Sequence, residues 1–86
     1  MRRCYFCGRC SNIEAHHVFN GPFRKKSDKY GAVVDLCHWC HNEPPAGVHF
    51  NAERDNALKA HFQEILMEEY GWGTQEFINQ FGRNYL

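Results

Sequence analysis

Cys4-Tyr5-Phe6-Cys7-Gly8 and, 29 residues beyond Cys7, Leu36-Cys37-His38-Trp39-Cys40-His41 are the two stretches on which the reading of this chain turns. A two-residue gap lets a tight turn aim both sulfurs of a pair at one ion, and two such knuckles complete a tetrahedral shell of four thiolates. Four sulfurs leave no position for water, so the spacing predicts a structural zinc held by Cys4, Cys7, Cys37 and Cys40. Cys10 repeats the same spacing from Cys7, but Gly8 favours a turn that ends at Cys7, which leaves Cys10 outside the shell. Disulfides or packed thiols are the competing account. The odd count of five cysteines and their arrangement in C-x-x-C pairs favour metal.

Outward from the knuckles, Ile13 to Phe19 and Ala32 to Leu36 are β-prone and predict a hairpin. The Gly, Pro and charge content of Asn20 to Gly31 reads as a long surface loop between the two strands. Pro44-Pro45 and Gly47 predict an irregular segment from Asn42 to Asn51. Leu58, Phe62, Ile65 and Leu66 then recur at helical spacing, with Lys59, Gln63, Glu64 and Glu68 on other faces. Asn51 is the expected N-cap of this helix and Gly71 its C-terminal glycine. Thr74 is the expected N-cap of a shorter helix with Phe77, Ile78 and Phe81 on one side, and Trp72, Tyr85 and Leu86 are expected to complete the core.

With 86 residues the chain has room for one small domain, whose modest core benefits from a metal staple. Its 10 Lys+Arg balance 10 Asp+Glu, but unevenly. Residues 1–42 hold seven cations and three anions, whereas residues 43–86 hold three cations and seven anions, which suggests a basic working half and an acidic supporting half. The thiolates of a zinc shell would offset part of the basic field, so strong nonspecific DNA affinity is not expected. Met1-Arg2-Arg3-Cys4 leads into no apolar stretch, and no run approaches a membrane span, so the expectation is a cytoplasmic protein without a membrane partner.

With the thiols assigned, the histidines need their own account. His16 and His17 are adjacent on the first expected strand, where neighbours point to opposite faces, so they cannot share one task. One imidazole can ligate a second ion while the other takes a proton from water. His41 directly follows the second knuckle, and His49 stands at the entry to the long helix. Three imidazoles with open coordination positions are catalytic in character. His38, inside the knuckle, is expected only to cover it, and His61 to sit at the edge of the core.

Taken together, Cys4-x-x-Cys7-Gly8, Glu14-Ala15-His16-His17-Val18 and Leu36-Cys37-x-x-Cys40-His41 resemble the zinc-tethered HNH endonucleases. Ser27 to His41, with Tyr30-Gly31 and Val33-Val34, looks closest to small HNH proteins of bacteriophages and prophages. The motifs cover residues 4 to about 49, and the later helices resemble that group more loosely. The resemblance implies an α+β fold: a small zinc-stapled ββα-metal core in residues 1–52 and a helical extension in residues 53–86, together one domain over 1–86. It implies His17 as general base and His16 and His41 as ligands of one catalytic divalent ion (Mg2+, Mn2+, Ni2+ or Zn2+). His49 stands as a displaced further ligand, because Pro44-Pro45 occupies the region where some members carry helix-side histidines.

The implied activity is hydrolysis of DNA phosphodiesters, double-stranded DNA being the expected partner. Arg24, Lys25, Lys26 and Lys29 are the candidates for gripping its backbone. A chain this short recognises a long target as a homodimer or beside a larger phage protein. The departure from the family is its central asparagine: Ala32 stands at that place, and Asn20, Ser27 and Asp28 are the candidates for its duty of orienting the base. The rival readings are a noncatalytic zinc-stapled module that binds DNA or protein, and a thiol redox protein using one C-x-x-C pair.

Overall fold

Alternation within Ile13–His17 and Val33–Cys37 gives two five-residue strands, β1 and β2, in the computed structural model, which describes residues 2–86. They pair antiparallel, with Ile13 opposite Cys37, His16 opposite Val34 and His17 opposite Val33. Glu14, His16, Val34 and Leu36 therefore share one face, and Ile13, His17, Val33 and Cys37 the other. Val18 and Phe19 leave the strand and bury completely, although the Val18 N–H still donates to the Ala32 carbonyl at 2.9 Å.

The segment between the strands is not the loop expected. A 3-10 turn, Gly21–Phe23, leads into a helix, α1, over Arg24–Tyr30. The residues read as breakers act as terminators: Pro22 sits in the first turn, where its missing N–H costs nothing, and Gly31 closes the helix at φ 76°. Between them Arg24 to Tyr30 contains neither glycine nor a β-branched side chain. Ser27 pins α1 to the sheet, because its buried hydroxyl donates to the Phe19 carbonyl at 2.6 Å and accepts from the Phe19 N–H at 3.0 Å.

β2 runs directly into a short helix, α2, over His38–Asn42, which completes a ββα-like core. The irregular stretch beyond it contains a 3-10 turn at Val48–Phe50. Gly47 lies so close to the end of α2 that a Cβ there would stand 2.7 Å from the Glu43 nitrogen. This close approach folds the chain back and delivers His49 to the sheet end of the molecule.

The long helix, α3, spans Ala52–Tyr70, with the Asn51 side chain accepting from the Arg54 N–H at 3.0 Å and Gly71 closing it at φ 66°. α4 spans Thr74–Phe81; Gly73, not Thr74, is its N-cap, and no side chain bonds there. Phe77 and Phe81 bury against Phe19, whose ring centroid lies 4.3 Å from that of Phe81. Trp72 and Tyr85 pack onto this core, whereas Leu86 is 56% exposed and Ile65 37% exposed. In place of Ile65 the helix buries Gln63, whose amide donates to Asn84 Oδ1 and accepts from the Tyr85 N–H, each at 2.7 Å. Satisfied in this way, a buried amide closes the C-terminal segment over α3. His61 is exposed, with its ring 6.1 Å from that of Tyr5, and is not a core-edge residue. Among the described residues no helix is long and apolar enough to cross a membrane.

Candidate metal centres

Two clusters of ligand-type side chains flank the hairpin. In the first, the sulfurs of Cys4, Cys7, Cys37 and Cys40 all lie within 4.8 Å of one another. The N-terminal knuckle is a turn closed by the Gly8 N–H on the Cys4 carbonyl at 2.9 Å, with Gly8 at φ 75°. It is held to the sheet by the Tyr5 N–H on the Asp35 carbonyl at 2.8 Å. The second knuckle is the junction of β2 with α2. A tetrahedral zinc with sulfurs near 2.3 Å separates them by about 3.8 Å, and Cys7 and Cys37 stand 3.6 Å apart. All five cysteines are free. The four clustered sulfurs form a site that can bind a structural zinc.

The electrostatics of this cage fit a cation. Burial opposes ionisation of Cys4, but backbone N–H groups of Cys37, Cys7 and Phe6 outweigh it and bring the thiol down to about 6. Burial and the neighbouring thiols push Cys40 up to about 12. Cys10 lies outside, exposed, with its sulfur 3.8 Å from the Gly8 carbonyl.

The second cluster joins His16 from β1, His41 from α2 and His49 from the 3-10 turn after Gly47, and their ligand nitrogens also lie within 4.8 Å of one another. His41 Nε2 and His49 Nε2 are 3.0 Å apart. His16 is 2% exposed, and its buried Nε2 has no hydrogen-bond partner among the described residues. Burial and the neighbouring imidazoles push this ring down to about 4, so it is neutral at pH 7 with a lone pair to offer. An orphaned buried nitrogen beside two further imidazoles fits a divalent cation of borderline softness. All three rings border an open pocket of about 250 Å³.

His17 and Arg24 line the same pocket. His17 Nε2 stands 2.7 Å from Asp28 Oδ1 on α1. A carboxylate only accepts, so Nε2 carries the proton and Nδ1 is left as the basic nitrogen. Of the three candidates for the missing asparagine, Asp28 touches His17, Ser27 is engaged with Phe19, and Asn20 lines the pocket. Among the described residues no carboxylate pairs with Arg24. Lys25 and Lys29 are exposed on α1, whereas Lys26 turns towards α4 and donates to the Gln80 carbonyl at 2.9 Å.

Glu14 is the residue that motif spacing does not single out. Its Oε1 accepts from His41 Nδ1 at 2.7 Å and from Asn42 Nδ2 at 2.9 Å. Its Oε2 lies 3.3 Å from Nδ1 of His38, which also bonds Glu43 at 2.7 Å and so does more than cover the knuckle. The hydrogen bond from His41, opposed by burial and aided by His38, holds the Glu14 carboxyl below its ordinary range. Glu14 opens the Glu14-Ala15-His16-His17-Val18 motif without a role assigned to it there, and strand period places it two residues from His16 on the same face. No protein-family model, curated protein or solved structure matches this chain.

Proposed function

We propose that this protein is a metal-dependent endonuclease of the HNH type that hydrolyses phosphodiester bonds of double-stranded DNA. The observation that carries the proposal is the convergence of the orphaned His16 Nε2, His41, His49 and His17 on one open pocket, with Asp28 bonded to His17 from behind. In this reading His17 Nδ1 removes a proton from a water aligned with the scissile phosphorus. Asp28 accepts from Nε2, holds the ring and stabilises the imidazolium as it forms, which is the duty left by Ala32 at the asparagine position. His16, His41 and His49 would hold a divalent ion, which supplies Lewis acidity at the phosphate and stabilises the departing 3′ oxygen. Arg24 neutralises a phosphate oxygen in the pocket, and Lys25 and Lys29 grip the backbone alongside, with Lys26 adding charge from its anchored position.

The same reading assigns the chain to the cytoplasm of a phage-infected or prophage-bearing cell, acting on long targets as a dimer or beside a larger partner. Nicking of supercoiled plasmid with added Mg2+, Mn2+ or Ni2+ tests it. Wild type should nick, and His17→Ala should lose about 10²–10⁴-fold in rate. Equal nicking by both would reject His17 as the base, and none by wild type carrying a single tightly held zinc would leave a noncatalytic zinc-stapled module instead.

A further inference from the structure

We infer that Glu14 is the positioning residue of the imidazole centre: it fixes the tautomer of His41 so that Nε2, and not Nδ1, is the nitrogen presented to an ion. The inference deepens the metal-centre part of the proposed function and rests on that reading.

Glu14 and His16 flank Ala15 on β1, so both side chains leave the same face of the hairpin. Because β2 passes without a break into α2, His41 and Asn42 return over that face. Glu14 Oε1 then lies 2.7 Å from His41 Nδ1 and 2.9 Å from Asn42 Nδ2, while Oε2 faces His38 Nδ1 at 3.3 Å. An ionised carboxylate can only accept, so the 2.7 Å contact with Glu14 places the His41 proton on Nδ1, and the Asn42 amide, 3.1 Å from the same nitrogen, is the donor that would take over if Glu14 were lost. That leaves Nε2 with a bare lone pair, 3.0 Å from His49 Nε2 and within the cluster that includes the orphaned Nε2 of His16. Free histidine side chains favour the opposite tautomer, which would turn an N–H into the cluster and exclude a cation. Three neutral imidazoles also bring no charge, and Glu14 sets one negative charge against a ligand ring.

Two measurements test this on the full chain with zinc in the cysteine cage. The first needs no ion at the histidines: nitrogen-15 correlation spectra of the imidazoles should show His41 as the Nδ1–H tautomer in wild type and in Glu14→Gln, whose amide oxygen still accepts. Glu14→Ala should release His41 to the Nε2–H form. The second is titration with Co2+ followed by its visible absorption, where Glu14→Ala should weaken binding at the histidines by about 10–100-fold. Glu14→Gln should fall between, with one zinc retained and unchanged helical circular dichroism.

An Nε2–H His41 in wild type overturns the inference even if Glu14→Ala fails to fold. Unchanged Co2+ affinity in Glu14→Ala, or no Co2+ uptake at the wild-type histidines, overturns it as well. Tautomer and affinity shifts as expected in a wild type that nicks no DNA would sink the nuclease and keep Glu14. An active enzyme whose Glu14→Ala variant binds Co2+ as tightly would do the reverse.

Discussion

The cysteine cage and the histidine cluster share the short helix α2, which carries both Cys40 and His41, yet they are opposites in finish. The cage collects four donors, three of them buried, from two turns that close on each other. The cluster collects three donors from three separate elements and opens on a pocket. Four thiolates can fill a tetrahedral shell, whereas three imidazoles leave a coordination position open. The difference teaches that donor number, and not the presence of ligands as such, separates a closed site from an open one.

The most severe way to break the comparison is Cys37→Ala. The cage sits at the origin of α2, a helix too short to persist alone, so zinc and fold should be lost together, a loss on the order of 10 kcal/mol. Zinc content and circular dichroism should fall in step, and the histidine cluster should vanish with them. His16→Ala sharpens the contrast from the other side. It should abolish uptake of a second ion, a loss beyond the roughly 10–100-fold expected when a ligand only loses its hydrogen-bond partner, while the cage keeps its zinc and thermal unfolding stays cooperative. Loss of cage zinc in this variant would show that the two centres are one.

Smaller effects probe the parts that deliver the ligands. Gly47→Ala places a methyl group 2.7 Å from backbone at Glu43, so the chain must shift, at a cost of about 1–3 kcal/mol. Because Gly47 precedes His49 by two residues, second-ion affinity should fall with stability, and denaturant titration beside metal titration would show both. Ser27→Ala should cost about 1–2 kcal/mol by leaving the Phe19 amide and carbonyl without their buried partner. It should loosen α1, and with it the contact from Asp28 to His17, without touching either cluster. Denaturation midpoints together with metal stoichiometry check that separation.

The range of each signal decides how much of this is legible in the residues. The knuckles, the hairpin, the Asn51 cap and the Gly71 stop depend on local spacing and chemistry, and they appear where the spacing puts them. The convergence of His16, His41 and His49 is also within reach, because the cysteine pairs fix one end of the hairpin and His41 follows a cysteine directly. The α1 helix is hidden because Pro22 and Gly31 mark helix ends as readily as loops, and composition does not separate the two uses. Polarity alone turns Gln63 outward, whereas its partners Asn84 and Tyr85 lie more than 20 residues away and no window along α3 contains them. Strand period puts Glu14 on the face of His16, but its role is hidden for the same reason: its partners lie on a helix that begins 24 residues later.

The adjacency of Cys40 and His41 on α2 has a consequence for what can change in this chain. Each residue added to a helix rotates the downstream chain by about 100° and lifts it by about 1.5 Å. An insertion or deletion between the two would swing the imidazole away from its companions while the sulfur stayed in place. The joint between the sulfur cage and the imidazole cluster is therefore sensitive to length at this one peptide.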